Sequence, residues 1–149
     1  MILKTIELNK KNNIIPVNMA LGNENKEISI YSNSDTVNNG LSVETKQSDI
    51  NCIENKVKMV TLDSYVKENN IEVGLIKTDL EGFEQSFLKG AIETIKEQKP
   101  VLIISIYHNY NDFFEIKLMI ENLNLGYKFR IIKSRVKLVT AETKLLAEV

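Results

Sequence analysis

The sequence predicts an α/β domain whose sheet is mainly parallel. The prediction rests on two apolar stretches and on the helical pattern between them. Residues 74–82 form a short apolar run that ends in carboxylates and a glycine, which is typical of a strand turning tightly into a helix. A helical pattern follows at once and stops at Pro100, after which residues 101–106 are almost continuously apolar, as in a strand covered on both faces. Two such strands joined by one helix form a right-handed βαβ unit.

Size and composition exclude several classes of protein. The 149 residues are enough for a single domain, 1–149, with a core of its own, and the net charge of -1 argues against nucleic acid or anionic membrane as a partner. The longest apolar run is too short to span a bilayer, and no secretory signal opens the chain, so we expect a cytoplasmic protein. Cys52 is the only cysteine, which excludes an internal disulfide, and His108 is the only histidine.

The first third of the chain predicts a short helix and two strands. Apolar residues at helical spacing give a helix over residues 2–8, which polar residues then end. Residues 14–17 follow as a strand, with Pro16 indicating a sheet edge, and residues 20–22 are the predicted turn. Residues 27–31 alternate as a half-buried strand, and the polar residues 32–55 predict a surface excursion with one weak strand.

The middle of the chain contains the most regular helical pattern. Residues 56–61 alternate like a strand, and a short helix begins at Leu62, capped by Thr61 or Asp63. One helix is predicted over residues 82–98, with Phe83, Phe87 and Ile95 among the residues on its buried face.

The C-terminal third predicts one helix and an antiparallel end to the sheet. Asp112 can cap a helix with Phe113, Ile116 and Ile120 inward, and Gly126 can close it in a left-handed conformation. The remaining apolar stretches read as strands joined by short turns. They are residues 127–132, 136–140 and 144–149.

Two carboxylates occupy the position where α/β proteins most often build a small-molecule site. Asp79 and Glu81 follow the strand at residues 75–78, and ligands of open α/β sheets bind outside the carboxyl ends of strands. The alternative is structural: Asp79 would cap the next helix and Glu81 would favourably meet its dipole. Spacing alone slightly favours this structural interpretation.

The order of the motifs resembles that of FkbM-type S-adenosylmethionine-dependent methyltransferases. The resemblance rests on residues 60–63, on Leu-Ile-Lys-Thr-Asp-Leu-Glu-Gly-Phe-Glu at 75–84, on Leu-Lys-Gly-Ala at 88–91 and on Pro-Val-Leu at 100–102. It implies the Rossmann-like methyltransferase fold, a seven-stranded sheet of order 3-2-1-4-5-7-6. It also implies S-adenosyl-L-methionine as cofactor and a small-molecule acceptor, the hydroxyl of a sugar or metabolite.

One departure from the family pattern affects the cofactor site. The family begins with a strand, a glycine-rich loop and a second strand, whereas no two of the six glycines here are close enough to form such a loop. The sequence therefore resembles the C-terminal two-thirds of a methyltransferase, a partial sheet, and we expect weak or absent cofactor binding by this chain alone.

The same departure predicts an uncovered strand. Without family strands 1 and 2, the strand at residues 75–78 becomes an apolar edge. We expect residues 14–17 or 27–31 to cover it, or two chains to pair through it, for example as a homodimer.

The resemblance also assigns roles to individual residues. It places Asp79 beside the methyl group and the acceptor, with Glu81 shaping the acceptor side. Asn18, Ala20 and Leu21 follow strand 3, where this fold passes the adenine, although they could equally be plain turn residues. His108 could act as a general base or bind the acceptor, the alternative being a solvated loop histidine.

Metal binding at His108 would need further ligands, and it is not expected from the sequence because Asp79 and Glu81 are too weak a set of partners for it. Two functions remain open. The first is an S-adenosylmethionine-dependent methyltransferase, and the second is a non-catalytic remnant of that fold that serves as a binding or interaction module.

Overall fold

The structure is a computed structural model that describes residues 2–33, 42–43, 52–133 and 142–149, which form two four-stranded sheets and five helices. The first sheet has the order β1-β4-β2-β3 and the second the order β5-β6-β8-β7. In chain order the elements are α1 (Ile2–Leu8), β1 (Ala20–Leu21), β2 (Lys26–Asn33), β3 (Ser42–Val43), β4 (Cys52–Val60), α2 (Leu62–Asn69), β5 (Leu75–Thr78), α3 (Glu84–Lys89), α4 (Ile92–Gln98), β6 (Val101–Ser105), α5 (Tyr110–Glu121), β7 (Lys128–Lys133) and β8 (Thr143–Glu148).

The second sheet confirms the predicted α/β class. β5 and β6 are parallel neighbours, with Leu75 opposite Val101, and β8 and β7 complete the sheet as antiparallel strands. This order corresponds to strands 4-5-7-6 of the expected methyltransferase sheet. The core lies between this sheet and its helices, and its fully buried side chains include Phe87, Leu102, Ile104, Ile116 and Leu145.

The first sheet corrects the expectation for the N-terminal third. The strand at 27–31 is confirmed as part of β2, which pairs antiparallel with β4 along its whole length. The prediction of a strand at 14–17 is wrong, because these residues are exposed and Pro16 has no N–H to donate to a neighbouring strand. Residues 20–21, the predicted turn, instead form β1 and pair in parallel with Met59 and Val60.

The edge formed by β5 is not covered by either segment expected there. Residues 14–17 form no strand, and β2 pairs with β3 and β4 in the other sheet. Within the described residues β5 therefore ends its sheet, and its residue Leu75 is 56% exposed. Neither segment of this chain therefore protects the edge, and pairing with a second chain stays a prediction.

The single helix predicted over 82–98 is wrong, since the chain breaks it into α3 and α4 at Gly90. The Gly90 carbonyl accepts a hydrogen bond from the Asp63 N–H at 3.0 Å. The Asp63 carboxylate in turn accepts from the N–H groups of Glu93 and Thr94, at 3.2 and 2.8 Å, in the first turn of α4. Thr61 caps α2 by accepting from the Ser64 N–H, so each predicted cap residue serves a different helix.

The last helix begins earlier than its predicted cap. Asn109 caps α5 by accepting from the Asp112 N–H at 2.8 Å, and Asp112 lies buried inside the first turn. Ile116 and Ile120 are buried as expected, whereas Phe113 is exposed. Gly126 has a φ of +87° but lies beyond the helix end at Glu121, so it does not close α5.

Two expectations fall partly or wholly outside the described residues. The strand predicted at 136–140 lies outside them, and of the excursion at 32–55 the structure describes the end of β2, β3 and the start of β4. Among the described helices, none has both the length and the apolar character needed to cross a membrane.

Candidate active site

A buried carboxylate shapes the turn that follows β5. Glu84, at the start of α3, is completely buried. Its two carboxylate oxygens accept hydrogen bonds from the N–H groups of Leu80, at 2.7 Å, and Gly82, at 3.0 Å. The turn also needs positive φ angles, +53° at Glu81 and +95° at Gly82, and the second of these favours glycine. Glu84 thus fixes the backbone that presents Asp79 and Glu81.

The structure brings the three predicted catalytic residues together. His108 follows β6, the neighbour of β5, and its Nε2 lies 3.3 Å from Asp79 Oδ1 and 3.7 Å from Glu81 Oε2. Its Nδ1 lies 3.0 Å from Glu84 Oε1. Only 7% of the His108 side chain is exposed, so the alternative of a solvated loop histidine is wrong.

Tyr107 also contacts the Asp79 carboxylate. Its hydroxyl donates a hydrogen bond of 3.1 Å to Asp79 Oδ1. Burial, and then this hydrogen bond, raise the pKa of Tyr107 to about 12, so Tyr107 remains a neutral donor at pH 7. Because Glu84 occupies the turn N–H groups and Phe83 is the N-cap residue of α3, Asp79 does not cap the helix.

A cleft of about 460 Å³ opens between the first sheet and the turn after β5. All four predicted cofactor-binding residues, Asn18, Ala20, Leu21 and Asp79, line this cleft, and so does Glu81. His108 is not among the lining residues and lies behind Asp79. The other lining residues are Met19, Ile28, Ile30, Asn55, Val57, Leu80 and Phe83.

The charge of this cleft favours a cationic ligand. Its described lining includes two carboxylates, Asp79 and Glu81, and no Lys or Arg. The remaining surface is mostly apolar, which suits a small organic molecule. A larger hollow of about 630 Å³ lies between α2 and α4, but it shares no residue with the carboxylate and histidine cluster and offers no comparable chemistry.

Several site residues were missed by the sequence reasoning. Glu84 and Tyr107 were not assigned any role. For Glu84 a signal existed, because a carboxylate in the first turn of a helix can accept hydrogen bonds from nearby free N–H groups. Phe83 was assigned to core packing, but it lines the cleft. The pairing of β2 with β4 brings three further apolar side chains into the cleft lining, those of Ile28, Ile30 and Val57. Their alternation with polar residues was the sequence signal that could have indicated a shared face.

The sheet order and the helices are those of part of a Rossmann-like methyltransferase fold. The chain belongs to the methyltransferase FkbM domain family, whose model matches residues 4–129. This confirms the resemblance drawn from residues 75–84 and their flanks.

A solved structure shares the fold. Methyltransferase FkbM from Methylobacillus flagellatus KT superposes with a TM-score of 0.70 at 19% sequence identity, covering 98% of this chain and 32% of that one. The chain therefore spans about a third of the length of that protein. No curated protein sequence is significantly similar to this chain.

Proposed function

We propose that this chain forms the acceptor side of an S-adenosyl-L-methionine-dependent O-methyltransferase, with Asp79 as the residue nearest the reaction. The observation that carries the proposal is the shared cleft. The side chains expected at the acceptor, Asp79 and Glu81, line the same space as Asn18, Ala20 and Leu21, which are expected at the cofactor. Membership of the FkbM family supports a methyl donor.

Asp79 is suited to accept the proton of an acceptor hydroxyl. Its side chain is 42% exposed and lines the cleft, so an acceptor can reach its carboxylate. Tyr107 and His108 contact the same oxygen, Oδ1, and restrict the orientation of the group. A positioned carboxylate can remove a proton as the oxygen becomes a nucleophile, and Glu81 can bind further hydroxyls of a sugar or metabolite.

The lining residues fit part of the cofactor. S-adenosyl-L-methionine, when bound, supplies an electrophilic methyl group on a positively charged sulfur. The negative charge of Asp79 and Glu81 suits that cation, while Leu21 and Phe83 offer apolar contacts and Asn18 a polar one. The carboxypropyl group has no equivalent partner among the described lining residues, so we expect weak binding by this chain alone.

Isothermal titration calorimetry with S-adenosylmethionine and S-adenosylhomocysteine tests the proposal. We expect saturable heat with both ligands at millimolar concentration. Asp79→Asn should weaken binding of S-adenosylmethionine more than that of S-adenosylhomocysteine, because only the former has a positively charged sulfur. Glu115→Gln, an exposed change on α5, is the matched control and should leave both affinities unchanged.

The alternative is a non-catalytic module that keeps the fold. It is favoured by the spacing of the six glycines, none of which can form a cofactor loop with another. If millimolar S-adenosylmethionine and S-adenosylhomocysteine give no heat, the result would favour this binding or interaction module over methyl transfer by this chain alone.

We also propose that the β5 edge pairs with a strand from another chain. Leu75 is exposed on this edge, and an apolar strand edge is a template for pairing. Leu75→Lys should convert an associated species into a monomer in size-exclusion chromatography with light scattering. Ile15→Lys, an equally apolar exposed position away from any strand, should not. A monodisperse wild-type monomer would contradict this proposal.

A further inference from the structure

We propose that Asp79, Glu84 and His108 bind a divalent cation, with Mn²⁺ as the representative ion. Each residue offers one ligand atom, and the three atoms lie within 4.8 Å of one another. The donors are one imidazole nitrogen and two carboxylate oxygens. Carboxylates suit Mg²⁺ and Mn²⁺, and imidazole suits first-row transition ions, so Mn²⁺ satisfies both kinds of donor.

One separation in the cluster agrees with that of adjacent ligands. In octahedral geometry, ligand atoms at about 2.1 Å from an ion lie about 3.0 Å apart. Nδ1 of His108 is 3.0 Å from Glu84 Oε1, as adjacent ligands would be, whereas Asp79 Oδ1 lies 3.3 Å from the other ring nitrogen, Nε2. Because one imidazole gives one nitrogen to an ion, the partly exposed Asp79 side chain would turn to reach an ion held at Nδ1, and the ligand atoms of the three residues all lie within 4.8 Å of one another.

His108 is the observation that points to a ligand. Its side chain is only 7% exposed, and within the described structure neither ring nitrogen makes a hydrogen bond of acceptable geometry. Buried polar groups are nearly always partnered. A cation that takes the lone pair of one nitrogen supplies the missing partner.

The charge of the cluster points the same way. Three carboxylates, those of Asp79, Glu81 and Glu84, lie within 3.7 Å of this one imidazole. Within the described ranges, no Lys or Arg forms an ion pair with any of them. Negative charge concentrated in a partly buried site is costly unless it is paired, and a divalent cation would neutralise it.

A metal was not expected from the sequence because Asp79 and Glu81 were too weak a set of partners for His108. The fold brings His108 to Asp79 from the neighbouring strand end and adds the buried Glu84 from α3. A cation here would lie beside the cleft and could stabilise a deprotonated acceptor hydroxyl. That consequence rests on the proposed function, whereas cation binding itself does not.

Mn²⁺ binding can be measured without cofactor or acceptor. Free Mn²⁺ gives a six-line electron paramagnetic resonance signal. We expect added protein to lower the amplitude of this signal saturably as the ion binds, with one site per chain. Asp79→Asn and His108→Gln should each weaken Mn²⁺ binding by roughly tenfold or more. Glu115→Gln, on the exposed side of α5, should bind like the wild type.

The outcome separates this site from the methyltransferase proposal. Absence of saturable binding at millimolar Mn²⁺, or wild-type affinity in Asp79→Asn, would overturn the cation site and leave cofactor binding to be judged by calorimetry. Asp79 is partly exposed, so its Asn variant should fold, which circular dichroism will verify. Mn²⁺ binding without any cofactor heat would support the site and count against the proposed methyl transfer.

Discussion

Replacing Gly90 with alanine should reduce the free energy of unfolding by about 3 kcal/mol, the upper part of the usual range for overpacking. A Cβ at this position would lie 2.0 Å from the Gly22 carbonyl oxygen and 3.0 Å from the Gly22 carbonyl carbon. Both are backbone atoms, which cannot rotate away like the end of a side chain. Urea denaturation followed by circular dichroism measures the change.

Gly74→Ala is the matched control for this prediction. No heavy atom lies within 4 Å of the Cβ that it would add, so its effect should stay within about 0.5 kcal/mol, as for ordinary surface changes. Equal stability of the Gly90 and Gly74 variants would mean that β1 does not pack against the α3–α4 junction. Because Gly22 directly follows the cleft residues Ala20 and Leu21, Gly90→Ala should also weaken ligand binding in the cleft.

The second sheet could be predicted from the sequence because its signals are local. β6 reads as a continuous apolar run, and Pro100 marks the boundary before it. The break at Gly90 could not be predicted in this way, since periodicity continues through it. It depends on Gly22 and Asp63, which reach Gly90 only after the chain has folded.

The candidate site was also predictable from the sequence only in part. Asp79 and Glu81 could be found from their position after a strand, a rule of topology. Glu84 looked like an ordinary helical acid, and its role depends on a turn whose N–H groups point at it. The predicted pairing of β5 and β6 brings His108 to the same edge of the sheet as these carboxylates, but sequence spacing could not reveal that its side chain is buried against them.

Asp79→Asn should lower methyl transfer to a hydroxylated acceptor by at least about 100-fold, the size expected on losing a general base. The change removes the charge and keeps the shape, so the affinity for S-adenosylhomocysteine, which has no charged sulfur, should change by less than about threefold. Release of S-adenosylhomocysteine with a panel of sugars and hydroxylated metabolites measures the turnover. Glu115→Gln should retain wild-type turnover.

Two mechanisms could produce that loss, and excess Mn²⁺ distinguishes them. If Asp79 mainly binds the proposed cation, Glu84 and His108 remain in place, and saturating Mn²⁺ should restore much of the turnover of Asp79→Asn. If Asp79 accepts the proton of the acceptor, no concentration of Mn²⁺ replaces the missing carboxylate. Unchanged turnover in a correctly folded Asp79→Asn variant would remove Asp79 from the reaction altogether, because the cleft would then carry out the transfer without its charge.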